Sequence, residues 1–396
     1  MADDADDRHK WVDNGALPGE DEFKPARDGD SNRNFNPPPP GTEPGKSQAK
    51  QYSRHKPYKG LVSSRAFLAE MTPPDYLVKG IILRGATYTI TGNGGHAKTL
   101  LGLLLAINVA RGGWFLGRGC RKGTVVFFAG ENPENVRYQF FAMCHLLEVD
   151  PGELDISWHA GVFSIGETLD KVKADIANYP DLALCVFDSL QAFFTGDDDN
   201  GNVAMLNLAG GFRDLTAGHP NKPSGLVVAH PVKRALKDNL LPRGGGALTN
   251  ELDGNFTSWL DADSGIGEFH WQGKIRGVPF DPIKFETTVI RPDGLTNADG
   301  EIMPIVVVKP LGEQRESELR AEADKADIQI LAAIDANPAI TENGLCTGLS
   351  LPRRKVKAAL ASMAKEKLFR TWRGGKRKLT EAGLKTLREA GIQSSE

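Results

Sequence analysis

Apolar residues follow three rhythms along this chain, and each rhythm predicts a different kind of element. The first is continuous: Thr124-Val125-Val126-Phe127-Phe128-Ala129, Leu182-Ala183-Leu184-Cys185-Val186-Phe187 and Gly225-Leu226-Val227-Val228-Ala229 are apolar at nearly every position. Such runs suit strands buried on both faces of a parallel sheet. Ile165 to Asn178 and Val203 to Leu215 lie between them and are long enough for crossover helices, so the order predicts an α/β fold. The second rhythm mixes polar and apolar positions over Phe256 to Leu260, Ile266 to Ile275, Lys284 to Val289 and Ile305 to Lys309. It predicts antiparallel strands appended to the parallel sheet.

The third rhythm is helical. Ser63 to Met71 predicts a short helix ended by Pro73-Pro74, and Leu100 to Ala110 an apolar one. Near the C-terminus, Ala326 to Asp335, Thr341 to Leu349 and Pro352 to Lys367 predict three more, the last with Val356, Leu360 and Met363 on one face. Leu368 to Thr380 then reads as a strand, a Gly374-Gly375 turn and a strand. Three helices and a hairpin make a winged helix-turn-helix of about 65 residues, large enough to fold alone. The expected boundaries are a tail at 1–60, an α/β domain at 61–312, a charged linker at 313–325 and the winged helix at 326–390.

Composition adds less. Residues 1–60 are polar, include Pro37 to Pro40 and show no hydrophobic period, so a disordered tail is expected. With 396 residues at 40% hydrophobic content, the chain can bury one large core and a smaller one. The net charge of −3 discriminates nothing, but its distribution does: residues 351–380 carry eleven Lys or Arg against one Glu. The four cysteines are far apart and form no C-x-x-C pair, which speaks against zinc and for a reducing compartment. The N-terminus has no apolar signal region and Leu100 to Ala110 is too short to span a bilayer, so a cytoplasmic protein without a membrane partner is expected.

The candidate chemistry begins at Gly92-Asn93-Gly94-Gly95-His96-Ala97-Lys98-Thr99-Leu100, between a β-rich stretch at Ala86 to Thr91 and the apolar helix. A strand, a glycine loop and a helix start place amide N–H groups and a positive dipole end around phosphate oxygens. In this reading Lys98 reaches the β- and γ-phosphates of ATP and the Thr99 hydroxyl holds Mg²⁺. Ala97 stands where the usual G-x-x-x-x-G-K-[ST] pattern has its second glycine. If that position needs φ > 0, a Cβ costs roughly 1 kcal/mol.

Each apolar strand ends in a polar residue, where open α/β sheets put their sites. Glu131 follows the first run and is a candidate to orient or deprotonate water; an ordinary loop acid beside a helix start explains it too. Asp188 follows four apolar residues, as does a carboxylate holding Mg²⁺, although Asp also caps helices. His230 ends the third run, placed to sense γ-phosphate or simply to be a satisfied strand-end histidine.

Together, Gly92 to Thr99, Glu131, Asp188 and His230 resemble the RecA/DnaB superfamily of ring-forming ATPases, most closely RepA-type plasmid and phage hexameric helicases. The resemblance covers roughly Ser63 to Leu311 and implies a RecA-like P-loop core. Arg243, in Leu241-Pro242-Arg243-Gly244, resembles the family's arginine finger, and Gly273-Lys274-Ile275-Arg276-Gly277 its Lys-x-Arg element. In such rings both reach the nucleotide held by a neighbouring subunit, where an arginine in trans is worth about 10³ to 10⁵ in rate. A loop arginine in solvent and surface ion pairs are the plainer readings of the same residues. His230 departs from DnaB-type proteins, in which glutamine is expected.

The resemblance also makes Pro231 to Lys237, with Lys233, Arg234 and Lys237, a pore-facing loop contacting single-stranded DNA. The acidic loop Gly196 to Gly201 is expected to stay off phosphates. From the residues themselves, Arg353, Arg354, Lys355 and Lys357 at the start of a recognition helix, with Arg373, Lys376 and Arg377 on a wing, form a footprint for duplex DNA. Protein docking is the other use of such a module. What the resemblance implies is an ATP-hydrolysing homo-oligomer, a hexameric ring, acting on DNA as a replicative helicase. The alternative is an ATP-gated DNA-binding initiator, recombination or regulatory protein that does not unwind.

Overall fold

The computed structural model describes residues 58, 60–194, 202–372 and 374–393. The expected disordered tail, apart from residues 58 and 60, lies outside them, as do the acidic loop at 196–201 and Arg373. All described residues belong to one compact unit, Arg54–Glu396.

In chain order the elements are α1 Ser64–Ala69, β1 Tyr76–Val78, β2 Ile82–Leu83, β3 Thr87–Thr91, α2 Lys98–Arg111, β4 Trp114–Phe115, β5 Arg118–Gly119, β6 Thr124–Ala129, α3 Pro133–Leu146 and β7 Ile156–Ala160. There follow α4 Ile165–Ile176, β8 Leu182–Asp188, α5 Asn202–Thr216, β9 Ser224–Ala229, α6 Gly245–Glu251, β10 Gly254–Asp261, β11 Ile266–Ile275, β12 Ile283–Ile290 and β13 Ile305–Pro310. The C-terminal part comprises α7 Glu313–Ala336, α8 Glu342–Leu349, α9 Arg353–Lys365, β14 Phe369–Thr371, β15 Arg377–Leu379 and α10 Glu381–Glu389.

Nine strands form one sheet in the order β13-β12-β11-β10-β3-β9-β8-β6-β7. The pairings from β10 to β7 are parallel and those among β10, β11, β12 and β13 antiparallel, so the sheet is mixed and mostly parallel, as the two strand rhythms predict. The continuous runs are continuous because helices cover both faces. In β6, Val125 and Phe127 pack with α2 and α3, while Val126 and Phe128 pack with α4 and α5. In β8, Leu184 and Val186 turn to the first side, Cys185 and Phe187 to the second. A period of two on a strand buried on both faces leaves no polar positions. Helix α2 is buried from Leu100 to Ala110 and apolar there except for Asn108, whose amide donates to the Leu104 carbonyl and accepts from the Trp114 N–H.

Helices α3, α6 and α10 go beyond the elements expected, and two further differences have a plain physical reason. Strand β7 was not anticipated: it is the outer strand of the parallel side, with Trp158, His159 and Ala160 exposed, and an edge strand needs no apolar run. The charged stretch after Glu313 and the helix expected from Ala326 form a single helix of 24 residues, α7. Ion pairs such as Arg320–Glu316 at 2.7 Å support its exposed half, and Ile330, Leu331 and Ile334 bury the other. With Leu345, Val356, Leu360, Met363, Phe369, Leu379 and Leu387 these form a core separate from the two that flank the sheet. Gly374 and Gly375, at φ 86° and 76°, make the turn of the β14–β15 wing.

Candidate functional site

The loop after β3 is folded by its glycines and clamped by β10. A Cβ at Gly92 would collide with the carbonyl of Ser258, so nothing larger fits beneath that strand. Gly95 has φ 76° and Ala97 φ 59°, both left-handed. The missing second glycine therefore falls where its absence is felt, and the Cβ of Ala97 costs about 1 kcal/mol. The His96 carbonyl accepts a hydrogen bond from Ser258 Oγ, and His96 Nδ1 accepts from the Leu260 N–H at 3.0 Å. The His96 ring meets Trp259 edge-on at 4.8 Å. Burial first, then the Lys98 charge, holds the His96 pKa below its ordinary value.

Lys98 opens α2 with 7% of its surface exposed, and its Nζ donates to the Asn93 carbonyl at 2.9 Å. Burial lowers its pKa against the opposing pull of Asp188 and Glu131. Helices α3, α4, α8 and α10 begin with a side chain accepting from a first-turn N–H; α2 begins at Ala97 with none. An uncapped helix start beside a half-desolvated ammonium is suited to phosphate oxygens.

Asp188, at the end of β8, is 4% exposed. Burial pushes its carboxyl up to about 6; a hydrogen bond from Thr99 pulls it down, Glu131 adds to the rise and Lys98 opposes it. A buried carboxylate in that condition, with a threonine hydroxyl against it, fits a hard divalent cation. No cluster of three or more His, Cys, Asp or Glu that could hold a metal occurs among the described residues. Mg²⁺ keeps waters and takes its remaining ligands from phosphate, so Thr99 and Asp188 are the residues that would hold it.

Glu131 is drawn over this acid by the backbone: the N–H groups of Gly130 and Glu131 donate to the Asp188 carbonyl at 2.6 and 3.2 Å. Ser189 Oγ donates to Glu131 Oε2 at 2.8 Å and lies 3.3 Å from Gln191 Oε1. His230 Nε2 stands 3.7 Å from the same Glu131 oxygen. Lys98, Thr99, Glu131, Asp188 and His230 thus line one cleft of about 260 Å³ with Gly94 and Gly95. Ser189 had no place in the sequence reading; its position next to Asp188 was the available signal, but its contact with Glu131 spans 58 residues.

The three cations assigned to a neighbour's nucleotide are not gathered in this cleft. The Arg243 N–H donates to the His230 carbonyl at 2.8 Å, and its side chain lines a small crevice with Leu190, Phe194 and Met205. Lys274 Nζ donates to the Asn250 carbonyl at 2.6 Å, and Arg276 Nη1 pairs with Asp253 Oδ1 at 2.8 Å. Gly254, which pairs with Ile275 on one side and Tyr88 on the other, sets Arg276 beside the start of β3. The phosphate loop leaves the other end of that strand, roughly 13 Å away at the usual rise per residue.

Lys233 and Arg234 are exposed on the loop between β9 and α6, whose base is closed by the Pro231–Pro242 bridge and by Gln272 bonds to Leu240 and Lys237. Lys237 Nζ itself pairs with Glu268 at 2.7 Å. On α9, Arg353, Lys355 and Lys357 are exposed, while Arg354 pairs with Asp261 at the end of β10, with Asp263 at 3.9 Å. On the wing, Lys376 is exposed, but Arg377 donates to the Ile340 carbonyl at 3.0 Å and lies over the Phe369 ring, tying the hairpin to the α7–α8 corner.

No helix among the described residues is long and apolar enough to cross a membrane. Residues 51–235 match the family model described as an AAA domain. That span holds the phosphate loop, Glu131, Asp188 and His230, and ends before Arg243, Lys274 and Arg276. No curated protein matches the chain. Among solved structures, one titled as a DnaB-like replicative helicase and its interactions with primase aligns at 12% identity and TM-score 0.41, covering 51% of this chain and 55% of that one. The chain thus matches about half the length of that protein. Residues 51–235, which build the cleft, are similar to AAA domains.

Proposed function

We propose that this protein hydrolyses ATP with Mg²⁺ as a homo-oligomeric ring, hexameric in the RepA manner, and acts on DNA as a replicative helicase. The observation that carries the reading is the meeting of Lys98, Thr99, Glu131 and Asp188 in one cleft at the ends of parallel strands. Lys98 and the first amides of α2 bind the phosphate tail and offset its charge. Thr99 and Asp188 would hold Mg²⁺, which supplies charge neutralisation on the phosphate oxygens. Glu131, held by Ser189 and faced by His230, orients water and accepts its proton. Arg243, Lys274 and Arg276 act on the cleft of the adjacent copy, and Lys233, Arg234 and Lys237 on the single strand.

A second reading is favoured by α9 and the wing. Exposed Arg353, Lys355, Lys357 and Lys376 on a helix-turn-helix suit a duplex backbone, as an ATP-gated initiator that does not unwind would require. ATP turnover measured with single-stranded, duplex and no DNA, beside strand displacement on a forked substrate, separates the two. Stimulation with displacement supports the motor; duplex stimulation without displacement supports the initiator; a monomer by light scattering with Mg-ATP and DNA would sink both.

A further inference from the structure

Asp253, between α6 and β10, is a buried acid with no part in the cleft, and 1% of it is exposed. Its Oδ2 accepts from the Thr87 N–H at 2.8 Å, and its own N–H donates to the Thr87 carbonyl at 2.8 Å, fixing it to the first residue of β3. Everything else it offers goes to Arg276. Oδ1 is ion-paired with Arg276 Nη1 at 2.8 Å without the angle of a hydrogen bond, so the contact is one of charge, and the Asp253 carbonyl accepts from the Arg276 N–H at 2.6 Å. The Arg276 carbonyl in turn accepts from Tyr88 Oη at 2.8 Å. Backbone and side chain of Arg276 are both held, yet 58% of that side chain remains exposed.

A carboxylate is an expensive way to fill a core position, since an apolar residue of similar size does so without desolvating a charge. What the acid adds is a fixed pose for an arginine. A guanidinium has five donors; one edge rests on Asp253 and the others stay available, with the side-chain entropy already surrendered. Lys274, two residues earlier near the end of β11, is tied down in parallel by the Asn250 carbonyl.

We infer that Asp253 is a positioning residue, which presents the free donors of Arg276 to the phosphoryl oxygens of a nucleoside triphosphate bound by a second copy of this chain. The inference rests on the ring reading above. Asp253→Asn keeps the shape and an acceptor for Thr87 while removing the charge. Turnover per site is expected to fall at least tenfold, with fluorescent-nucleotide affinity and melting temperature little changed. Arg276→Ala falls further, by a hundredfold or more, and the double variant no further than Arg276→Ala alone. The decisive measurement mixes Asp253→Asn with Lys98→Ala subunits. Lys98→Ala is nearly inactive and Asp253→Asn is down at least tenfold, but a ring in which an intact Lys98 site faces an intact Asp253–Arg276 pair regains turnover above both. A merely structural acid gives no such gain. Undiminished turnover in Asp253→Asn, or no gain on mixing subunits that fold and co-assemble, overturns the inference. Undiminished turnover in Arg276→Ala overturns the trans role of Arg276 itself. Should Asp253→Asn not fold, Tyr88→Phe, which releases the Arg276 carbonyl, is read by turnover at unchanged nucleotide affinity: about a threefold loss supports the fixed pose, and no loss overturns it.

Discussion

The cleft after β3 and the C-terminal helices and hairpin from α7 to α10 both hold clustered charge, but they hold it in opposite ways. In the cleft Lys98 and Asp188 are 7% and 4% exposed, each partnered by residues distant in sequence. On α9 the charges stand in water, and the one that is paired, Arg354, is still 58% exposed. Buried charge acts strongly because little solvent reorganises around it, and it tolerates no loss of a partner. Exposed charge is screened, and its members contribute separately. The same residue types thus suit chemistry in one region and diffuse attraction in the other.

The largest effects belong to the cleft. Lys98→Ala is expected to abolish nucleotide binding and lower turnover by more than about 10³-fold, while Glu131→Gln retains binding and loses about 10²- to 10³-fold in turnover. Calorimetry beside a phosphate-release assay checks both, and normal hydrolysis by Glu131→Gln would remove that residue from its role.

Next comes the pH dependence of the protein without nucleotide. The Asp188 carboxyl titrates near 6 instead of 3.8, so the folded state keeps its proton longer than the unfolded chain. Stability is therefore full below the unfolded value and declines as pH rises from about 4 to 6, by about 3 kcal/mol. Urea unfolding of the wild type against Asp188→Asn should show that difference accumulating across this window and staying flat above it. A parallel pair of curves would mean the acid is less buried than it stands here.

The C-terminal module should answer differently. Replacing Arg353, Lys355 and Lys357 together by Ala should lower the slope of log affinity for duplex against log salt by up to about 2.7, at roughly 0.9 for each phosphate contact. It should leave DNA-free ATP turnover untouched, and an unchanged slope would assign the module to a protein partner. The smallest effects lie where the two regions touch and at the loop. Asp261→Asn, freeing Arg354, should tighten duplex binding by no more than about fivefold, the range of an exposed ion pair. Ala97→Gly should raise the melting temperature modestly, by relieving about 1 kcal/mol of left-handed strain.

Legibility followed burial. Strands β6, β8 and β9 could be read because helices on both faces force apolar residues at every position. Strand β7 could not, because an edge strand with Trp158 and His159 outside keeps no such pattern. The exposed half of α7 has no apolar stripe, so it was separated from the half that packs. Gly92 to Thr99, Glu131 and Asp188 could be picked out as strand-end chemistry, since loop and strand ends are local. The clamp of His96 by Ser258 and Leu260 joins residues 162 and 164 positions apart, and the Thr87–Asp253 bond spans 166.

What the sequence alone determined is the alternation of elements, the phosphate loop and the polar residues at strand ends, because each depends on neighbours a few positions away. Only the tertiary structure decided that Ala97 is left-handed, that Ser189 holds Glu131 and that Asp253 anchors Arg276. Those depend on which strands the sheet sets side by side, and pairing brings together residues that no local pattern relates.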